Sequence, residues 1–196
     1  MKKIFVNISA ILLLFAFSAL SPNRNNTIID NLSIPGPILF EKESYILAWN
    51  HSDEKYYKQE YIRVKDSLNK FNKMIFIDVL LTDLSPKDLV DMKTQELDKR
   101  KGQDPVINYE VRDNAQTGEY LLDFLISKDD IYEWNAYRYK AITTNKGKAV
   151  MLFAYSTRTF KGAEVDFNKF FSLLAKNRGH LISQVAIYKL PLIVIK

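Results

Sequence analysis

Two carboxylates stand where strand periodicity leaves little room for charge. Asp78 interrupts "MIFIDVLL" and Asp123 interrupts "YLLDFLI", each with apolar neighbours on both sides. An unpaired buried carboxylate is costly, so each acid has to face solvent, a groove or a cation. If both reached one space they would have the chemistry of a general acid and base; singly, each would recognise a ligand's donors. Period two places Asp78 with Phe76 and Leu80, and Asp123 with Leu121 and Leu125, which leaves Ile77, Val79, Leu122 and Phe124 for the main core. Arg138 of "WNAYRYK" is the cation expected to answer them, because Trp134 and Arg138 share one face of their strand. Tyr57 and Tyr61 of "YYKQEYI" add aromatic contact surface. The candidate ligand-binding set is therefore Asp78, Asp123, Trp134, Arg138, Tyr57 and Tyr61. A purely structural account competes with it: an ion pair on the second sheet face, and tyrosines packed as ordinary strand residues.

Other chemistries lose their usual parts. With two histidines and no cysteine, zinc, haem, iron–sulfur and thiol chemistry lack their common ligands, and neither a metal nor a cofactor is expected. His51 in "WNHSDE" and His180 beyond a helix end read as surface or capping residues. No serine elbow, phosphate-binding glycine loop or EF-hand loop is present, so no residue is assigned a catalytic role.

The start of the chain is the clearest address. Lys2 and Lys3 precede an apolar run from Ile4 to Leu20, and Ala16 and Ser18 are small residues at cleavage-site spacing. The strongest part, Ala10 to Phe17, is shorter than the roughly 20 residues a spanning helix needs, so residues 1–18 are expected to be a cleaved signal peptide and not a stable membrane anchor. Residues 19–31 then form a polar, flexible leader, and 32–196 a single domain. Without Lys2 and Lys3, 26 basic residues face 23 acids, and a net charge of +3 is too small to argue for nucleic acid. An exported chain without cysteine has to hold together by its core alone. The Asn-X-Ser/Thr triplets at Asn25, Asn31 and Asn50 carry little weight in an asparagine-rich chain.

Strand patterns dominate the positioning elements. "IPGPILF" and "YILAWN" read as a hairpin around "EKES", and "YYKQEYI" as an edge strand whose Lys58 and Glu60 blunt the edge. A short helical turn is expected after Asp66-Ser67, then the Asp78 strand. Ser85-Pro86-Lys87-Asp88 opens a surface helix with Val90 and Leu97 inward and Gly102 at its C-cap. "PVINYEVRD", "EYLLDFLIS", "YEWNAYRYKAITT" and "KAVMLFAYSTR" form a C-terminal meander. Phe167, Phe170, Phe171 and Leu174 make one stripe of a last helix that Gly179 terminates, with residues after it forming a second helix or the tail "PLIVIK" a strand. The expected class is α+β: an antiparallel sheet of about six or seven strands covered by two or three helices.

That order is similar in layout to the PsbP-like fold, an α/β/α sandwich. "IPGPILF", "YILAWN" and "YYKQEYI", with "SLNKFNKM" after them, resemble a family of exported bacterial proteins of unknown function over residues 32 to 80. The resemblance implies location and fold and brings no catalytic residues. Two functions stay open: a non-enzymatic exported domain that binds a small ligand or protein partner, and a small hydrolase using Asp78 or Asp123 as acid or base. Mass spectrometry of protein recovered from outside the inner membrane is expected to give an N-terminus near Ala19; an intact Met1 in the cytosol refutes export.

Overall fold

A computed structural model describes residues 28–160 and 167–196. The expected signal peptide 1–18, Asn25 and all of the leader before residue 28 lie outside the described residues. Eight strands form one antiparallel sheet: β1 (Ile38–Phe40), β2 (Glu43–Ser52), β3 (Tyr56–Arg63), β4 (Lys73–Leu81), β5 (Asn108–Asn114), β6 (Glu119–Lys128), β7 (Ile131–Thr144) and β8 (Gly147–Phe160), in the spatial order β1-β2-β3-β4-β8-β7-β6-β5. Two helices accompany it, α1 (Pro86–Arg100) and α2 (Phe167–Ile187).

This architecture corrects the α+β expectation. Strands take 46% of the described residues and helices 22%, so the protein is mostly β, with eight strands where six or seven are expected and two helices among the described residues. The turn after Asp66-Ser67 does not become a helix, because the Asp66 carboxylate takes Arg63 in a two-pronged hydrogen bond (2.8 and 3.1 Å) and Met74 already belongs to β4. Nor does Gly179 end α2. Ile182 and Val185 prolong the buried stripe of Phe170 and Leu174, and their burial outweighs the roughly 1 kcal/mol that a helical glycine costs. The start of α1 is as the sequence predicts: Ser85 Oγ accepts from the Asp88 N–H, and the Asp88 carboxylate accepts from the Ser85 N–H. Its cap is Lys101, and Gly102, at φ +93°, follows one residue later.

Both faces of the sheet are buried. Ile75, Ile77, Val79, Trp134, Ala136, Phe153 and Tyr155 pack toward α2. Phe76, Leu122, Phe124, Tyr137 and Leu152 pack toward Val90 and Leu97 of α1. Ile77 and Val79 therefore lie on the opposite face from Leu122 and Phe124, not in one shared core. Period two fixes alternation within a strand, but the phase between β4 and β6 is set through β8 and β7. Asp78 pairs with Leu152, Leu152 with Tyr139 and Tyr139 with Tyr120, and Asp123 lies three residues beyond Tyr120, an odd separation that puts it on the opposite face.

Helix α2 covers only the β7–β8 half of its face. Over β2, β3 and β4 the cover is irregular chain: Leu32, Ile34, Ile193 and Ile195 are buried there. The Val194 N–H donates to Leu32 C=O (3.3 Å) and the Lys196 N–H to Asn31 C=O (3.0 Å), so "PLIVIK" docks without becoming a regular strand.

β3 is not an edge. It lies between β2 and β4, and Lys58 and Glu60 are 6% and 3% exposed. The side-chain alternation holds, with Tyr57, Gln59 and Tyr61 toward the α2 face and Tyr56, Lys58 and Glu60 toward the α1 face. Pairing on both sides predicts slow hydrogen exchange at consecutive amides from 57 to 62; protection at alternate amides alone would mean one free side. Phe170→Ala is expected to cost about 3 to 5 kcal/mol in chemical denaturation, since Phe170 fills a buried site under α2.

Candidate functional site

The residues singled out in the sequence do not converge. Asp78 lies on the α1 face and Asp123 on the α2 face, so no groove joins them. Asp123 Oδ1 accepts from Arg112 (2.7 Å) and Arg178 (3.0 Å), and its Oδ2 from Arg178 (2.6 Å) and Trp134 Nε1 (3.2 Å). That carboxylate clasps α2 to the sheet. Arg138 is not its partner: it donates to Glu119 (2.7 Å) and to the Val185 and Tyr188 carbonyls at the end of α2 (3.3 and 2.8 Å). It does share the face of Trp134, as period two requires. The Tyr61 hydroxyl donates to Ile34 C=O (2.6 Å) and accepts from Gln59 (2.6 Å), while Gln59 also accepts from the Leu32 N–H (2.8 Å). Tyr57 accepts from Lys146 (3.2 Å). Tyr61 thus fastens covering chain onto β3, and Tyr57 ties β3 to the β7–β8 turn.

Asp78 belongs to a different arrangement. Tyr56 donates to its Oδ2 (2.9 Å), while its Oδ1 has no hydrogen-bond partner among the described residues. Lys58 and Glu60 lie 3.3 Å apart beside it, and the Lys58 ammonium sits 4.3 Å from the Phe76 ring centre. Burial pushes the Asp78 carboxyl up to about 6, against the pull of Lys58 and the Tyr56 hydrogen bond. Burial also works against a charged Lys58, but Asp78 and Glu60 outweigh it and hold the ammonium on. Lys58 draws on two carboxylates, so Asp78 can take a proton while the Lys58–Glu60 pair persists. At 2% exposure Asp78 is sealed from any substrate.

Concavity lies elsewhere. A cavity of about 650 Å³ runs along the end of β8, between α2 and the ends of β3 and β4. Tyr155, Thr157 and Thr159 form its floor, and Phe170, Leu173, Leu174 and Leu181 its helix wall. Arg63, Lys65 and Lys73 form the facing wall. Arg63 is held by Asp66 and by Glu43 (3.0 Å), and Glu43 also pairs with Lys73. Burial raises the Glu43 carboxyl, but those two cations outweigh it and keep it below its ordinary range. Glu41 contacts His180 at 2.9 Å across the mouth. Arg158, whose guanidinium lies 3.3 Å over the Phe71 ring, is fixed by the Phe71 carbonyl (2.9 Å). The volume and the mixture of apolar and polar lining are those of a small-molecule site. Sequence reasoning missed it because its residues come from five separate stretches, none of which carries a motif. The Phe stripe of α2 was its one visible wall.

A protein-family model for an uncharacterised family matches residues 32–190. No curated protein matches the chain.

The Asp78 shift makes a pH prediction with a definite sign. Its folded value of about 6 exceeds the roughly 4 of an unfolded aspartate, so its ionisation penalises the fold. The penalty is absent below about pH 4 and complete above about pH 6, reaching about 3 kcal/mol. Urea denaturation at pH 4, 5, 6 and 7 is expected to show wild type losing stability relative to Asp78→Asn across that window. Parallel curves for the two proteins would mean that Asp78 titrates normally.

Proposed function

The chain belongs to that uncharacterised family, and from the geometry of its site we propose that it is an exported binding protein holding one small ligand in the groove between α2 and the ends of β3, β4 and β8. Export rests on the Lys2-Lys3 start and the apolar run to Leu20. Binding rests on the cavity of about 650 Å³, where an apolar helix wall faces a cationic strand-end wall.

Hydrolysis by the two aspartates has weaker support. Asp123 is spent on Arg112, Arg178 and Trp134, and Asp78 is buried on the other face of the sheet. A general acid or base must come within hydrogen-bond reach of its substrate, and neither position offers a path.

The groove reading is tested with N-phenyl-1-naphthylamine, a neutral dye that fluoresces in apolar surroundings. One saturable site per chain is expected. Leu173→Asp should abolish it with the melting temperature retained, because Leu173 lines the groove yet is 48% exposed. Dye binding that is absent, or that the variant leaves unchanged, rejects the groove.

A further inference from the structure

We propose that the ligand is an amphipathic monoanion, an apolar chain lying along α2 with one carboxylate-type head against Arg63, Lys65 and Lys73; this rests on the groove being the binding site.

The charge balance of the strand-end wall carries the inference. Three cations stand there, and two carboxylates, Glu43 and Asp66, answer them; a fourth lining cation, Arg158, is held by the Phe71 and Leu68 carbonyls and faces the charges of Glu133 and Glu60. Arg63 and Lys73 are engaged by those acids, whereas Lys65 is exposed and has no acidic partner among the described residues. One positive charge is left over, which suits one anionic group. Glu41 also lines the groove, but its carboxylate is turned to His180. On the floor, Thr159 is 3% exposed and its Oγ1 has no hydrogen-bond partner among the described residues. A hydroxyl in that position is a donor at hand for a head group, and burial makes its hydrogen bond worth more than one in water.

The opposite wall selects the rest of the molecule. Phe170, Leu174 and Leu181 follow helical spacing along one side of α2 and Leu173 overhangs it, a surface that rewards methylene groups and offers them no polar partner. A bare inorganic anion would leave this wall unused, and a neutral chain would leave the extra charge unused.

Displacement of bound N-phenyl-1-naphthylamine by decanoate and by decanol tests the class. Decanoate is expected to displace the dye at least about tenfold more tightly than decanol. Lys65→Ala should weaken decanoate about fivefold and leave decanol unchanged, the size of effect a partly exposed ion pair gives. Lys65 is exposed, so this variant is expected to fold as wild type. Equal displacement by the two compounds overturns the anionic head while the groove reading stands, and displacement by neither overturns the amphiphile. Failure of the dye itself to bind removes the groove reading beneath both. Sedimentation with phosphatidylglycerol vesicles, without displacement by free decanoate, would overturn the soluble ligand in favour of a membrane surface.

Discussion

A sheet buried on both faces needs two covers, and most of this structure follows from that need. β4, β7 and β8 carry apolar side chains on both sides over much of their length. Water has to be kept from about 10 Å of packed side chains above and below them. Two helices are too few for eight strands. The shortfall on the α2 side is met by residues 31–34 and 188–196, irregular chain that hydrogen-bonds to itself and to Gln59 and Tyr61. Where this cover and α2 both stop, the groove begins.

The same double burial explains the charges inside. Lys58, Glu60 and Asp78 sit where a wholly apolar sheet would be expected, and they survive because a cation and two carboxylates lie within reach of one another. The arrangement is not fully compensated. Asp78 retains a buried oxygen without a partner and a raised proton affinity, so the α1 face holds a group whose ionisation works against the fold. On the α2 face Asp123 has both carboxylate oxygens hydrogen-bonded, to three donor side chains. Two acids that look alike in sequence thus differ because one gained two arginines, Arg112 from the adjoining β5 and Arg178 from α2, and the other gained a tyrosine and a lysine from the adjoining β3.

Local pattern was legible where local physics decides. The Ser85 to Asp88 helix start, the hairpins of the meander and the Phe170–Leu174 stripe are all settled within a few residues, and they appear as the sequence predicts, except that Phe167 at the head of the stripe is exposed. Placement across the sheet was not legible. Lys58 and Glu60 look like the guards of an edge, and only the pairing of β3 with both β2 and β4 makes them interior. Asp78 and Asp123 look like one face until the register through β8 and β7 is known. The groove was invisible for a like reason: Lys65, Thr159 and Leu173 meet only after the sheet has closed and α2 has docked.

The strand order β1-β2-β3-β4-β8-β7-β6-β5 has a kinetic consequence. Each half is a run of neighbours in sequence, four strands that zip by short loops. The two runs meet along the single seam between β4 and β8, where Lys73 pairs with Thr157 and Leu81 with Ala149. Joining strands so far apart along the chain carries the largest loop-closure entropy of any pairing in the sheet. The seam also joins unequal halves: α1 lies against β6 and β7 and α2 against β7 and β8, so it is β1–β4 that depends on irregular chain for its cover. Until that pairing forms, β4 and β8 are open edges that must find each other before they find another chain.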